Sequence, residues 1–294
     1  MYVILGATGN TGNVIAKILL QAGKTVRIIG RGMERLQALI DQGAEAAVGD
    51  VQDIPFLMQS FKGANAVYVM IPPNLKSDNF RAYQDKTGES VVTALKGSTV
   101  KYIVNLSSIG ADLPKGTGPI AGAYAMEQRL NTLETKNILH LRPAYFMENL
   151  YAGIGLIKNM GINGSAINGK FPFPMIATRD IGEYAAKRLL KLDFQRSSVQ
   201  ELLGQRDVAL AEASTILGKA IGLDELKYQQ FSDEEAKAGM IQAGLSPDVA
   251  RLYIEMSEAF NTGKVVTPAR STENTTPTSI EAFSEIFSKV YHAS

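Results

Sequence analysis

VILGATGNTGNVIAKILLQAG, Val3–Gly23, passes from an apolar run through three glycines into a helical pattern. Tyr2 to Leu5 are apolar and partly β-branched, as in a short strand buried on both faces. From Asn13 onward, Val14, Ile15, Ile18, Leu19 and Ala22 fall at helical spacing, and Gly23 is a stop signal. Gly6, Gly9 and Gly12 lie between strand and helix. Such a turn suits an anion. Glycine lets the backbone bend sharply and lets a phosphate approach, while the free N–H groups of the first turn sit at the positive end of the helix dipole. Thr8, Asn10 and Thr11 add side-chain donors. The spacing alone also occurs in turns without a ligand. A strand before it and a helix after it are what point to phosphate binding in a βαβ unit.

Composition sets the outer limits. The 294 residues are 45% hydrophobic and 20% charged, an ordinary globular balance sized for one large domain or a domain with a smaller lobe. A formal net charge of +1 argues against nucleic-acid and membrane-surface partners, which select for basic excess. The absence of cysteine removes disulfides, thiolate nucleophiles and cysteine metal sites, and the two histidines, His140 and His292, leave no histidine-rich metal centre. No metal is expected. A first strand at the second residue leaves no targeting peptide, and no apolar run reaches bilayer length, so a cytoplasmic location is expected.

The first half alternates strands and helices. Strands are expected at Thr25 to Gly30, Ala44 to Asp50, Asn65 to Pro73, Lys101 to Ser108 and Ile138 to Pro143. Helices are expected at Met33 to Gly43, Ile54 to Gly63, within Asp78 to Lys96, and at Ala123 to Lys136. This alternation predicts an α/β fold, a Rossmann-type doubly wound parallel sheet over residues 1–150. Residues 151–294 are expected to form a smaller, mainly helical substrate lobe, with some segments returning to the sheet. Ligands of such sheets bind beyond the carboxyl ends of the strands. Those ends here are Gly6 to Gly12, Gly30-Arg31, Asp50-Val51, Ile71-Pro72-Pro73, Ser107-Ser108 and Pro143 onward.

The second strand end bears on the cofactor. NAD-preferring folds usually carry an acidic residue there for the ribose 2′-hydroxyl. This chain has Arg31, with Arg35 a helical turn later. A guanidinium grips a 2′-phosphate with paired, charge-assisted hydrogen bonds, so NADPH is expected over NADH. Asp50 is placed to accept from the adenine amino group.

GATGNTG, the strand-end GR, GDVQD, VNLSSIGAD, LRPAYFMENL, VQELLGQRDVALAEASTILGKAIG and the ending TPTSIEAFSEIF together resemble the NmrA-like group of atypical short-chain dehydrogenases. The resemblance covers nearly the whole chain. It implies a Rossmann domain with a smaller C-terminal lobe that binds NAD(P)H. Some members reduce quinones, azo dyes or related acceptors, and others are redox-responsive regulators without known turnover. It also implies Gly6 to Gly12 on the pyrophosphate, Arg31 on the 2′-phosphate and Asp50-Val51 on adenine. Ile71 to Pro73 would lie along the ribose side, and Tyr145 to Asn149, including Phe146, near the nicotinamide.

One departure concerns catalysis. Typical short-chain dehydrogenases use Tyr-x-x-x-Lys after the fifth strand, where lysine lowers the tyrosine pKa for proton transfer. Ser107 and Ser108 are in place and Tyr124 is on the right helix, but four residues later stands Gln128. If Glu127 matches the family's glutamate on this helix, its usual lysine is Ala123 here. Reversible alcohol–ketone chemistry is therefore not expected. Reduction of an electron-poor quinone or azo compound requires mainly positioning of a ring near the nicotinamide. Tyr145, Phe146, Phe171 and Phe173 are candidates to line such a pocket, though each would serve equally as core. Tyr124, Tyr145 and Asn149 are the candidate catalytic groups, Asn149 by orienting an acceptor oxygen or the carboxamide. His140, inside ILHLRP, is expected to be a packed core residue, and Tyr253, Met256 and Phe260 to be packing on one helical stripe. The expected partner is a small aromatic acceptor. A regulator would instead act through a protein partner, and a homodimer is open.

Overall fold

A computed structural model describes residues Met1–Ser294. The strands are β1 (Tyr2–Leu5), β2 (Val26–Gly30), β3 (Glu45–Val48), β4 (Ala66–Val69), β5 (Tyr102–Leu106), β6 (Asn137–Pro143), β7 (Tyr145–Phe146), β8 (Ile162–Ser165), β9 (Phe173–Ile176), β10 (Ser197–Leu202), β11 (Asp207–Val208) and β12 (Lys227–Gln230). The helices are α1 (Asn10–Gln21), α2 (Gln37–Ile40), α3 (Ile54–Phe61), α4 (Phe80–Lys96), α5 (Ile120–Asn131), α6 (Ile154–Met160), α7 (Thr178–Lys191), α8 (Leu210–Ala220), α9 (Asp233–Gln242), α10 (Pro247–Asn261) and α11 (Ile280–Ala293). None of the helices is long and apolar enough to cross a membrane.

Seven strands form a parallel sheet in the order β10-β6-β5-β4-β1-β2-β3, the doubly wound Rossmann arrangement. The order reverses beside β1, which opens a crevice at its carboxyl end. Side chains alternate across the sheet. Tyr2, Ile4, Ile28 and Tyr68 face one core with Ile15 and Leu19 of α1 and Ala185 and Leu189 of α7. Val3, Leu5, Val67 and Ile103 face the other, with Leu57 of α3, Val91 of α4 and Leu130 of α5.

The α1–α7 packing depends on Gly182. A Cβ there would lie 2.7 Å from Val14 Cβ and 3.0 Å from the Thr11 carbonyl oxygen. Asp180, at the start of α7, is buried and accepts from the Thr278 amide at 2.9 Å and the Thr278 hydroxyl at 2.5 Å. The TPTS segment is thus anchored to the sheet-covering helix.

The second half builds its own core from Met147, Leu150, Met175, Leu217, Phe283 and Phe287, among others. Two small sheets, β11-β9-β7 and β12-β8, complete it. Ser232 and Glu235 form a capping box at α9, and Pro247 opens α10 behind the Ser246 cap. The helix expected over Met33 to Gly43 is instead a 3-10 turn, Glu34–Leu36, plus the single turn α2. Only Leu36 and Leu39 are buried in it, too narrow a stripe for a longer helix. α5 starts at Ile120, earlier than expected, and ends at Asn131 rather than Lys136, where the Thr132 hydroxyl bonds back to the Arg129 carbonyl.

Gly182→Ala should lower stability by about 1–3 kcal/mol through overpacking of α7 on α1. Adding Val14→Ala should recover part of the loss. Urea unfolding of the two single variants and the double variant measures that coupling.

Candidate functional site

The glycine turn has a distinct reason for each glycine. Gly6 has φ +66°, a left-handed conformation that side chains resist. Gly9 is the N-cap of α1 and donates its amide to the Gly6 carbonyl at 2.9 Å. A Cβ on Gly12 would stand 2.4 Å from the Gly6 oxygen, so only glycine lets α1 seat this closely on the end of β1. The N-cap supplies no side-chain bond and the first turn holds no acid. The first helical bond runs from the Asn13 amide to Gly9, so the preceding amides face outward at the positive end of the helix.

A cavity of about 300 Å³ opens there, lined by Thr8, Gly9, Asn10, Asn13 and Val14 on one side and Glu148, Tyr151, Thr178 and Arg179 on the other. Thr8 and Asn10 are exposed to it. Thr11 is not: its buried hydroxyl is 2.9 Å from the Tyr68 hydroxyl and pairs with it inside the sheet. Both Glu148 oxygens accept from the Thr178 amide at 3.0 Å, and one accepts from its hydroxyl at 2.6 Å. Burial pushes the Glu148 carboxyl above its usual range, with Asp180 adding and the Thr178 bonds opposing. Glu148 therefore caps α7 at the cleft wall. From sequence, Glu148, Tyr151, Thr178 and Arg179 carry no separate role; the only trace is the string RPAYFMEN.

Along the other strand ends, Arg31 and Arg35 stand exposed. Asp50 is exposed and accepts from the Gln52 amide at 2.8 Å, closing a local turn. Val51 and Ile71 pack against the core beneath them. The Pro72 carbonyl, next to Pro73, accepts from the Tyr83 hydroxyl at 2.9 Å. Burial raises the Tyr83 pKa, and its hydroxyl lies within the field of both Arg31 and Asp50. Tyr83 was not singled out from sequence, because its place beside these strand ends comes from the packing of α4.

At β5 and β6 the Ser107 side chain is engaged within the fold. Its hydroxyl donates to Glu127 at 2.5 Å, and Arg142 grips the same buried carboxylate at 2.9 and 2.7 Å. The Ser107 side chain is committed to holding α5 against the strand ends and is not free for a tyrosine partner. Tyr124 is half-buried on α5, with an exposed Gln128 where a lysine would stand. Pro143 is buried and its carbonyl accepts from Ile109. Tyr145 packs edge-on against Phe173 at 5.3 Å, Phe146 joins a small core with Ile109 and Ile176, and Asn149 is exposed. Phe171 is 60% exposed and borders a smaller pocket with Phe173 and Phe260.

His140 is a core residue, as expected. It is 1% exposed, with Nδ1 3.1 Å from Asn105 Nδ2 and Nε2 3.0 Å from Asn131 Oδ1. The Asn105 amide donates to Nδ1, so Nε2 carries the proton and donates to Asn131. Burial lowers the pKa to about 4.

An open helix N-terminus over a glycine turn, at the switch point of a doubly wound sheet, defines a Rossmann-type α/β protein. Residues 2–283 match the NmrA-like family model, and the chain belongs to that family. It is 24% identical over 258 residues to an NAD(P)H azoreductase of Xenophilus azovorans, covering 87% of this chain and 86% of that one. Among solved structures it resembles an NADPH-dependent quinone oxidoreductase of Escherichia coli complexed with NADPH, at 21% identity and TM-score 0.80 over 98% and 99% of the two chains. It equally resembles the Citrobacter triphenylmethane reductase complexed with NADP(H), at 20% identity and TM-score 0.80 over 98% and 100%.

Stability should fall as pH drops from about 6.5 toward 4. In that window the unfolded His140 binds a proton and the folded one does not, so acid favours unfolding, by about 3 kcal/mol in total. His140→Gln should flatten this slope in urea melts across the same range. An equal slope in the variant would remove His140 as the cause.

Proposed function

We propose that this protein is an NADPH-dependent reductase of electron-poor aromatic acceptors such as quinones or azo compounds. The carrying observation is that the uncapped, acid-free N-terminus of α1 over the glycine turn shares one edge of the sheet with the exposed Arg31. The family membership and the names of the similar reductases support the same reading.

The residues present fit the cofactor. The Gly6–Gly12 turn and the outward amides of α1 take the pyrophosphate, with Thr8 and Asn10 beside it. Arg31, with Arg35, takes the 2′-phosphate through charge-assisted bonds. Asp50 and Val51 border adenine, and Ile71 to Pro73, held by Tyr83, flank the ribose. Pro143, Tyr145, Phe146 and Asn149 border the nicotinamide end. When bound, NADPH supplies a hydride, and the overall balance is NADPH, a proton and a quinone giving NADP+ and a hydroquinone. The protein positions the acceptor ring and excludes water around it. No activated tyrosine is needed, which agrees with Gln128 following Tyr124 and with the Ser107 hydroxyl bonded to Glu127.

Purified protein should oxidise NADPH with saturable turnover on a panel of quinones and azo compounds, above enzyme-free blanks. NADPH binding without any turnover would move the assignment to a cofactor-sensing regulator. Arg31→Glu should weaken NADPH binding by about 10-fold or more and NADH binding far less, because a like charge then faces the phosphate. Equal losses for both cofactors in a fluorescence titration would overturn the 2′-phosphate assignment.

A further inference from the structure

Two phenols outside the glycine cradle lack partners. Tyr145 follows β6 directly at the carboxyl edge of the sheet. Its ring meets Phe173, which in turn meets Phe260 of α10 at 5.9 Å. Tyr253 lies seven residues before Phe260, two turns along the same face of α10. It packs against Phe80 of α4 and Val249 and Leu252 of its own helix, beside Tyr83. The Tyr253 phenol is near enough to Tyr145 to help raise its pKa. The neighbouring Tyr228 hydroxyl is fully engaged, 2.7 Å from both the Ser165 hydroxyl and the Ile167 carbonyl. Neither the Tyr145 nor the Tyr253 hydroxyl makes a hydrogen bond, and neither is among the sealed, unpaired atoms of the interior. Phenols in such settings usually find a partner.

We propose that the hydroxyls of Tyr145 and Tyr253 are hydrogen-bond donors to a carbonyl oxygen of a quinone-type acceptor, a role that rests on the reductase reading above. Burial raises both pKa values, so both groups are protonated at neutral pH and act as donors. Neutral donors fixed in a largely dry site suit an oxygen that gains negative charge as the acceptor is reduced. The aromatic rings of Phe173 and Phe260 form the apolar wall behind them. Tyr253 was expected from sequence to be packing; its ring does pack, and the free hydroxyl at its end is the functional part.

The test uses Tyr145→Phe and Tyr253→Phe, which remove one oxygen each and break no bond seen in the structure. With 1,4-naphthoquinone and NADPH, each variant should lose about 10-fold in kcat/KM, and Tyr253→Phe, which lies outside the cofactor cradle, should keep its NADPH affinity. Wild-type turnover matched by both variants would overturn the proposal. A second readout does not depend on turnover. With NADP+ bound, no hydride is available, and the same quinone can be titrated by quenching of tyrosine fluorescence. Each variant should bind it about 5-fold more weakly. If wild type binds NADPH yet turns over no quinone, the reductase reading fails, and this titration alone judges the donor pair: equal quinone affinity in all three proteins overturns it.

Discussion

The approach of α1 to the end of β1 is the constraint on which the rest depends. The missing side chain of Gly12 lets the helix sit on the Gly6 carbonyl, and the left-handed Gly6 turns the chain into that position. A methyl group at residue 12 would lift α1 off the strand. The helix N-terminus would then no longer face the cleft, and the seam with α7 would be misplaced, since Gly182 is fitted against Val14 and Thr11 of the same helix. The open N-terminus of α1 and the fit of α7 against it therefore both rest on one backbone contact.

The polar groups beneath α5 fasten that helix to the central strands. Glu127, Arg142 and Ser107 form one buried knot, and a turn away the buried Asn105 and His140 link to the exposed Asn131. Both tie α5 to β5 and β6. A buried carboxylate in such a place is tolerated because the guanidinium fork and a hydroxyl satisfy it. The Ser107 hydroxyl is part of that scaffold.

Much of this was legible in the sequence. The strand–glycine–helix opening, the alternation of elements and the residues at strand ends all follow from local pattern, and those ends lie together because a parallel sheet aligns them. What was not legible arises from contacts between distant segments. The Thr11 hydroxyl meets Tyr68 and the Ser107 hydroxyl meets Glu127 because of how faces pack, which no spacing encodes. The meeting of Glu148 with Thr178 and of Asp180 with Thr278 likewise joins residues 30 and 98 positions apart. α11 carried a readable signal, a Ser279 cap before Ile280, Phe283 and Phe287, but its aromatic stripe alone does not say which core it enters.

The seventh strand of the large sheet, β10, pairs with β6 although β7, β8 and β9 of the small sheets come between them in the chain. During synthesis, the first six strands emerge with β6 as an open edge whose Ile138, Leu139 and Leu141 are destined for the interior. That edge is covered only once residues 197–202 have left the ribosome, and α7, which roofs the same sheet, arrives shortly before. The nascent chain thus passes through a stage with a bare apolar strand edge, the kind of surface on which chains add to one another. Holding the last strand in the second half makes the two halves a single folding unit and concentrates the risk of aggregation in the interval before that strand appears.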